Sequence, residues 1–474
     1  MNEHLIELFR KWSGDLPFKI TPLPESGSHR KYYRISSRDK TAIGVINSDY
    51  KENLAYIEFS KHFLKLGLNV PNIYSVDLVN GVYLIEDLGD STLFSVLTHK
   101  KNNEEFPESI IPLYKKVLEL LPDFQIKATK SFPFNYCYPR SEFDEQSMRW
   151  DLSYFKYYFL KLAQIDFDEQ ALEDDFTRFI EFLLAENHEY FLYRDFQSRN
   201  IMIKSDEVYF IDFQGGRKGA LQYDVASLLY DAKAAMPENK REELLDFYIK
   251  NIKKYIEVDE ISFRSHYYGY VLIRMMQAMG AYGFRGFYEK KAHFLASIPY
   301  ALQNMKEVLK KIDIPIDLPT LIPVLNQLTE SEKLMEIGQI RKKLTISINS
   351  FSYKRGIPID ESGHGGGFAF DCRALDNPGR YEEYKNHTGK DLKVIEFLRK
   401  NEEVQKFIEN VKNLIEISIE NYLKRDFGHL MINFGCTGGQ HRSVFMAEYF
   451  AEYLKNKYNV RIMIRHRELE MKEI

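Results

Sequence analysis

The pattern of apolar and polar positions divides the chain into two long parts. Residues 1 to about 88 alternate strand-like runs, such as FKITPLPE and TAIGVIN, with two helical stretches. From about residue 89 to 320 the pattern is mostly helical, interrupted by one hairpin pattern, IMIKSDEVYFI. Closely spaced prolines in DIPIDLPTLIPVLNQL predict a linker at 321–340. Strand and helix patterns then continue from LTISINSFSY to VRIMIRHREL, which predicts an α/β domain at 341–474.

The hairpin pattern carries the strongest candidate chemistry, in the stretch YFLYRDFQSRNIMIKSDEVYFIDFQGG at 190–216. Asp195 lies in a polar loop before the hairpin, Asn200 follows five positions later, and Asp212 follows the second strand. A hairpin brings its two ends together, so these side chains are expected to meet. Phosphoryl transfer needs a base that orients a hydroxyl, with an amide and a carboxylate that hold magnesium on nucleotide phosphates. We therefore predict Asp195 as the base and Asn200 and Asp212 as metal ligands.

Composition narrows the class of protein. Aromatic residues make up 14%, with 32 Tyr and 34 Phe, which indicates large buried aromatic cores. The net charge of −4 gives the whole chain no nucleic-acid footprint, although the part from Arg341 onward carries roughly +4. The three cysteines, Cys137, Cys372 and Cys436, lie far apart and favour a reducing compartment. The amphipathic first helix is not a signal peptide, and no apolar run is long enough to span a bilayer. We expect a cytoplasmic protein.

The first part of the chain offers candidates for nucleotide binding. The turn ESGSHRK contains Gly27, Ser28 and Arg30, whose amides and charge could meet a phosphate. A single glycine turn is also compatible with an ordinary hairpin. The segment YLIEDLGDSTL, which contains Glu86, is predicted to be the hinge between two lobes, where backbone groups would meet an adenine.

Two further polar sites lie on predicted helices. Arg149 and Asp151 stand near the start of SMRWDLSYFKYYFLKLAQ and are candidates for contact with a substrate, although most of this helix is predicted to be core. Asp224, at the entry to the helix DVASLLYDA, is predicted to cap that helix or brace the catalytic loop.

The second part contains a strand, HLMINFG, that runs through CTGGQHRS into the helix VFMAEYFAEYLKN. Strand, glycine loop and helix N-terminus in this order predict an anion site, because loop amides converge and the helix dipole is positive there. A tight turn whose arginine forms a salt bridge remains the alternative. The predicted phosphate-binding residues are Cys436, Thr437, Gly438, Gly439, Gln440, His441, Arg442 and Ser443.

The same loop raises a second chemistry. Cys436, five intervening residues and then Arg442 and Ser443 match the spacing of cysteine-dependent phosphatases. Gly435 stands where those enzymes have a histidine, and no aspartic general acid is evident at a useful place, with Asp371 and Asp376 as the remaining candidates. We favour binding without turnover. The glycine-rich stretch at 360–379 is predicted to be a mobile loop that covers a ligand.

Residues 1 to about 320 resemble the aminoglycoside phosphotransferase and choline kinase superfamily, through GSHRKYYRI, LIEDLGD, YRDFQSRNIM and IDFQGGRKGALQYDVASLL. The most similar subgroup comprises kinases of the anomeric hydroxyl of N-acetylmuramate or N-acetylglucosamine. The resemblance implies an α+β, two-lobed, protein-kinase-like fold (N-lobe about 1–88, C-lobe about 89–320), with ATP and magnesium as cofactors.

The chain departs from this family at two places. Tyr193 replaces the histidine that usually lies two positions before the base, and the third strand, TAIGVIN, offers no lysine for the nucleotide phosphates. Arg30, Arg34 and Lys51 are the candidates for that missing charge.

Residues 341–474 resemble the C-terminal domain of the bacterial RNase adapter family RapZ, through SFSYKRGIPID, FDCRALDNPG, TGKD and GCTGGQHRSVFMAE. That resemblance implies an amino-sugar phosphate ligand, a small RNA partner and a homo-oligomer. Both parts then point to a sugar kinase with a C-terminal domain that binds an amino-sugar phosphate. The alternative is a regulatory adapter with a degenerate kinase-like domain, and a kinase–phosphatase fusion is a third hypothesis.

Overall fold

The structure is a computed structural model that describes residues 3–23, 30–100, 106–289, 291–312, 314–340, 344–358, 367–424 and 427–470. Residues Gly27 and Ser28, and the 359–366 segment of the glycine-rich stretch, lie outside the described residues. The chain forms two compact units, Met1–Leu334 and Met335–Ile474.

The first unit begins with an antiparallel five-stranded sheet in the order β1-β2-β3-β5-β4. Helix α1 (Glu3–Ser13) covers one face with its apolar stripe, in which Leu5 and Phe9 are buried against the sheet. This arrangement buries the continuous apolar run of the third strand, as its sequence predicts. The strands are β1 Lys19–Pro22, β2 Lys31–Ser36, β3 Thr41–Ile46, β4 Ile73–Asp77 and β5 Val82–Glu86.

Helix α2 (Tyr50–Lys65) joins this sheet to the rest of the unit. Asp49 caps its N-terminus, since its side chain accepts a hydrogen bond from the amide of Glu52. The buried ring of Phe63 lies 5.4 Å from that of Phe191 and 5.2 Å from that of Phe213. Phe191 and Phe213 flank the predicted catalytic residues in the sequence. Aromatic packing therefore fixes α2 against residues 191–213, the catalytic segment.

The remainder of the first unit is helical around two small antiparallel ladders, as the sequence predicts. The ladders pair β6 (Tyr190–Leu192) with β9 (Arg217–Gly219), and β7 (Ile201–Lys204) with β8 (Glu207–Phe210). The helices are α3 Leu93–Lys100, α4 Ile111–Pro122, α5 Glu145–Phe155, α6 Lys161–Ala163, α7 Glu169–Leu184, α8 Gln222–Leu229, α9 Glu238–Ile252, α10 Glu260–Gly283, α11 Ala292–Leu295, α12 Ile298–Leu309, α13 Leu321–Glu330 and α14 Glu332–Ile340.

The structure differs from the sequence pattern at two helical segments. The helix predicted at 147–164 is interrupted by a π-helical turn at Lys156–Leu160, which separates α5 from α6. Where the prolines predict a linker, α13 packs into the first unit, because Leu321, Leu325 and Leu328 recur at helical spacing and are fully buried.

The second unit contains a parallel four-stranded sheet in the order β11-β12-β10-β13. Helices pack on this sheet around a core that includes Ile348, Ile432 and Phe450. The sequence assigned 367–371 to a loop, but the alternation in GFAFD forms an edge strand. The elements are β10 Thr345–Ser352, β11 Gly367–Asp371, α15 Leu392–Arg399, α16 Glu402–Lys424, β12 His429–Cys436, α17 Arg442–Lys457, β13 Arg461–His466 and α18 Arg467–Glu470.

Asp224 braces the catalytic segment of the first unit, which confirms the structural role predicted for it. Its fully buried carboxylate accepts hydrogen bonds from the amides of Tyr193 (2.8 Å) and Arg194 (3.1 Å), and from Gln125 Nε2 (3.0 Å). Burial raises the pKa of Asp224 to about 7. The hydrogen bonds favour the ionised form and lower the pKa, but burial has the larger effect.

The substitution Asp224→Asn is expected to destabilise the first unit, because an amide has one acceptor oxygen for three donors. An unsatisfied buried donor costs about 1–3 kcal/mol. In the native protein the raised pKa gives stability that is full below about pH 4 and is lost as the pH rises towards about 7. The variant lacks this dependence, so the difference in unfolding free energy between the two proteins should shrink from about pH 5 to about pH 8.

Urea titrations followed by tryptophan fluorescence measure this difference, because both tryptophans, Trp12 and Trp150, belong to the first unit. A difference that stays constant between the two pH values would contradict the buried titration of Asp224.

Candidate active site

The loop between β6 and β7 carries Asp195. Its backbone is strained, and hydrogen bonds to the rest of the unit hold it in place. Arg194 adopts a positive φ of 79°. Its guanidinium donates to Asp151 Oδ1 (2.7 Å) and to the Tyr223 hydroxyl (2.8 Å). The hydroxyl of Tyr193, the residue that replaces the histidine usual in the family, donates to the carbonyl of Ile211. Tyr193 therefore ties the loop to the segment that carries Asp212.

The structure brings together Asp195, Asn200 and Asp212. Asn200 Nδ2 donates to the carbonyl oxygen of Asp195 (2.8 Å) and lies 3.4 Å from Asp212 Oδ2. Asp212 follows β8 with a positive φ of 68°, which turns its carboxylate back towards the loop. The catalytic and metal-binding roles of these residues remain predictions, but the hairpin assembles them as its sequence indicates.

Burial and neighbouring charges set the acidity of Asp195. Desolvation raises its pKa, and the carboxylate of Asp212 raises it further. Three arginines oppose this rise, namely Arg274, Arg194 and Arg217. A carboxylate with a raised pKa is a better proton acceptor than an exposed aspartate.

Arg30 provides a cation at the candidate metal carboxylate. Its Nη2 lies 2.8 Å from Asp212 Oδ1 and 3.5 Å from Glu52 Oε1, and the side chain is only 7% exposed. Gln214 Nε2 donates to the same oxygen of Asp212 (2.8 Å). A buried guanidinium therefore stands between the first turn of α2 and the catalytic segment.

Arg34 and Glu86, also predicted to contact the nucleotide, lie in a different network. Arg34 donates to both oxygens of Asp87 (2.7 and 3.1 Å) and to Asp90. Glu86 forms an ion pair with Lys204 (2.7 Å) and accepts a hydrogen bond from Asn72. These contacts hold the segment between β5 and α3, the predicted hinge.

The two residues proposed for substrate contact separate in the structure. Asp151 reaches the catalytic loop through Arg194, and its Oδ2 is buried without a hydrogen-bond partner among the described residues. Arg149 instead pairs with Glu145, one turn earlier on α5, and with Glu173 on α7.

Sequence reasoning missed Glu52 and Gln214 as neighbours of the site. A carboxylate in the first turn after the third strand is the position from which kinase-like folds pair a cation, so Glu52 had a usable signal. Gln214 had none, because its role depends on the turn that follows Asp212.

In the second unit, β12 leads through the glycine loop into α17, in the predicted order. Cys436 is buried; its Sγ accepts a hydrogen bond from the amide of Gly439 (3.1 Å) and lies 3.2 Å from Ser443 Oγ. Gly439 has a φ of 68°, while Thr437 and Gly438 are exposed. The tip of the loop is thus open to solvent and its base is fixed.

The other residues of the loop are engaged with its surroundings. The Thr437 carbonyl accepts from Ser352 Oγ (2.7 Å), and the Gln440 carbonyl accepts from the amide of Gly389 (2.8 Å). His441 Nε2 lies 3.1 Å from the Tyr384 carbonyl.

Arg442 is buried and donates from Nη1 to the carbonyls of Arg373 (3.0 Å) and Leu375 (2.8 Å). Its Nε has no hydrogen-bond partner among the described residues. Asp371, one of the acids considered for a phosphatase, is paired with Arg373.

Within the described ranges, no group of three or more His, Cys, Asp and Glu residues is arranged to hold a metal ion. Magnesium commonly binds through one or two protein carboxylates together with substrate phosphates, so the pair Asn200 and Asp212 suits it without such a group. No helix in the part of the chain described here has the length and apolarity to cross a membrane.

Sequence comparison finds relatives named nucleotide-binding protein. One from Thermosipho africanus is 38% identical over 179 residues, which cover 37% of this chain and 60% of the relative. Another from Clostridium kluyveri is 38% identical over 135 residues, covering 28% of this chain and 44% of the relative. The chain thus spans about half the length of these curated relatives.

Structure comparison finds a choline kinase from Cryptosporidium parvum, with 13% identity and a TM-score of 0.44, covering 69% of this chain and 99% of that one. It also finds an ethanolamine kinase from Plasmodium vivax, with 11% identity and a TM-score of 0.44, covering 61% and 82%.

Two family models match the chain. Residues 344–470 match the RapZ C-terminal domain, and residues 19–257, just over half of the chain, match the phosphotransferase enzyme family. The chain therefore belongs to the phosphotransferase enzyme family, and a RapZ C-terminal domain follows its kinase-like unit in the sequence.

Proposed function

We propose that the first unit is an ATP- and magnesium-dependent phosphotransferase that acts on a sugar hydroxyl. The observation that carries this proposal is the meeting of Asp195, Asn200 and Asp212 around one hairpin. A base, an amide and a carboxylate in this arrangement are the protein groups that phosphoryl transfer from a nucleotide uses.

Asp195 acts as the base of the proposed reaction. Its ionised carboxylate accepts the proton of the attacking hydroxyl while the oxygen forms its bond to the γ-phosphorus of ATP, and the bond from that phosphorus to the bridging oxygen breaks, so that ADP leaves. The raised pKa of Asp195 favours this proton transfer, and the anchored loop holds the carboxylate in place. Positioning of the two reactants supplies much of the rate in such a reaction.

The residues that would hold magnesium are Asn200 and Asp212. When bound, the ion neutralises charge on the nucleotide phosphates. Asn200 uses its Nδ2 within the protein, so the amide oxygen is left to accept a metal.

Arg30 takes the role of the lysine that the third strand lacks. It approaches Asp212 from the start of β2, and Glu52 of α2 supports it from the other side. The nucleotide phosphates need a cation close to the metal, and Arg30 lies beside Asp212, the carboxylate that would bind it. Arg34 does not fill this role, because it is bound to Asp87 and Asp90.

The acceptor is proposed to be an amino sugar such as N-acetylmuramate or N-acetylglucosamine. The second unit is proposed to bind an amino-sugar phosphate at 436–443. The exposed tip at Thr437 and Gly438, ahead of the long helix α17, supports an anion at that position. A cytoplasmic location, a homo-oligomer and a small RNA partner remain predictions.

A regulatory adapter of the RapZ type is the second candidate function. The match of residues 344–470 to the RapZ C-terminal domain and the missing lysine of β3 favour it. In that case the kinase-like unit would bind a nucleotide without transferring its phosphate.

The substitution Asp195→Asn is expected to lower sugar-dependent ADP release by at least about 100-fold, because removal of a general base typically costs about 10²–10⁴ in rate. Nucleotide affinity should change little. The measurement is ADP production from ATP and magnesium over a panel of N-acetylated sugars. Asp206→Asn is the matched control, since Asp206 lies exposed in the turn of the same hairpin.

Equal ADP release by the wild-type protein and Asp195→Asn on every sugar would overturn the catalytic assignment. Tight binding of small RNA together with no ADP release from the wild-type protein would favour the adapter.

A further inference from the structure

Two buried arginines near Asp195 form no direct ion pair with an acidic side chain among the described residues. Arg217 and Arg274 are each 8% exposed, and no carboxylate of the described residues lies within ion-pair distance of either. The other two buried arginines of the first unit behave differently. Arg30 faces Asp212 and Glu52, while Arg241 pairs with Glu238 and Glu307.

Arg217 lies beside the reacting carboxylate. Its Nε donates to the carbonyl of Gly215 (3.1 Å), and a Cβ placed on Gly215 would lie 3.8 Å from Asp195 Oδ2. Burial, together with the like charge of Arg194, lowers the pKa of Arg217. Asp151 and Asp195 lie near this guanidinium, but among the described residues it forms no direct ion pair with either of them.

Arg274 reaches the same region from α10. Its Nε donates to Ser227 Oγ (2.9 Å), a neutral partner, and its Nη1 donates to Gln277. Arg274 lines a cavity together with Gln197, which is two residues beyond Asp195, and with Asp231. The cavity therefore adjoins the catalytic loop.

The same cavity contains an unused hydrogen-bond donor. Asn304 is buried, and its Oδ1 accepts from Arg241 (2.7 Å), but its Nδ2 has no partner among the described residues. Asp231 adds an acceptor, which receives a hydrogen bond from Ser198 Oγ (2.6 Å). The cavity therefore offers both a donor and an acceptor to a small polar group.

Buried charges are ordinarily paired, because removing an ion from water without a counter-ion is costly. Arg217 and Arg274 lie beside Asp195 without a direct ion pair among the described residues, which indicates that a ligand supplies further negative charge. Guanidinium binds planar carboxylates and phosphates especially well. A cationic acceptor would be repelled at this position.

We propose that the acceptor of the phosphotransferase reaction carries an acidic group, a carboxylate or a phosphate, which Arg217 and Arg274 recognise. This inference rests on the proposed function and narrows its substrate class. The acidic group, once bound, fixes the reacting hydroxyl towards Asp195.

The test compares binding of three sugars to the full chain by calorimetry, with magnesium and a non-hydrolysable ATP analogue present. N-acetylmuramate carries a carboxylate, N-acetylglucosamine 6-phosphate carries a phosphate, and N-acetylglucosamine is the neutral reference. The wild-type protein should bind at least one acidic sugar about tenfold or more tightly than the neutral one, because hydrogen bonds to charged groups are the stronger kind. The sugar that shows this preference identifies the acidic group.

Arg274→Gln and Arg217→Gln should each reduce that preference by about tenfold. Arg274→Lys, which keeps the charge, should retain part of it and guards against a folding defect. Arg264→Gln is the matched control: Arg264 lies on the same helix, but it pairs with Glu242 and Asp246. Tryptophan fluorescence confirms that each variant is folded.

Equal binding of neutral and acidic sugars by the wild-type protein would overturn the inference. So would an acidic preference that survives in both glutamine variants, because it then belongs to another site, or one that Arg264→Gln weakens as much as they do.

ADP release separates this inference from the proposed function. Turnover of acidic and neutral sugars at equal rates, both unaffected by Arg274→Gln, would leave the phosphotransferase standing and refute the acidic acceptor. Arginine-dependent binding of an acidic sugar without any ADP release would leave the anion site standing and refute phosphotransfer.

Discussion

The contact between Arg30 and Asp212 is the interaction on which the candidate active site depends. It joins residues 182 positions apart, and it connects the start of β2 in the sheet to the turn after the catalytic hairpin. Asp212 is also the carboxylate that Asn200 and Gln214 approach. One side chain therefore organises the sheet, helix α2 and the catalytic loop around a single charge.

Aromatic packing gives this charge its low-dielectric surroundings. The ring of Tyr56 stacks on Phe213 at 5.1 Å, and Phe63 packs on the same ring from the side. Tyr193 is buried next to them. In such surroundings electrostatic interactions are stronger than in water, which explains why the pKa of Asp195 rises and why unpaired charges are informative. The many aromatic residues of the sequence thus surround the charged side chains with apolar rings that exclude water.

The sequence predicted well what is local. The two-lobed, kinase-like fold and the α/β class of the second unit follow from apolar patterning and from family resemblance. The meeting of Asp195, Asn200 and Asp212 follows from one hairpin, because two short antiparallel strands leave their ends adjacent. Asp224 was predicted as a brace because a carboxylate at a helix entry commonly accepts backbone hydrogen bonds.

What the sequence could not provide was long-range pairing. Arg30, Arg34 and Lys51 were equivalent candidates until the structure placed Arg34 with Asp87 and left Lys51 beside the ring of Tyr138. The unpaired state of Arg217 and Arg274 is likewise a property of the whole fold. Helix α13 was missed because prolines at its start outweighed its apolar spacing, although proline is well tolerated in a first helical turn.

Arg30 is proposed to supply the positive charge that nucleotide phosphates require. Calorimetric titration of the full chain with ATP and magnesium tests it, with Arg30→Gln set against Arg34→Gln, which removes the same charge from a neighbouring strand position. We expect about 10- to 100-fold weaker ATP binding for Arg30→Gln, in keeping with the loss of a charged hydrogen bond, and little change for Arg34→Gln. Equal affinities in the two variants, or a larger loss in Arg34→Gln, would contradict it.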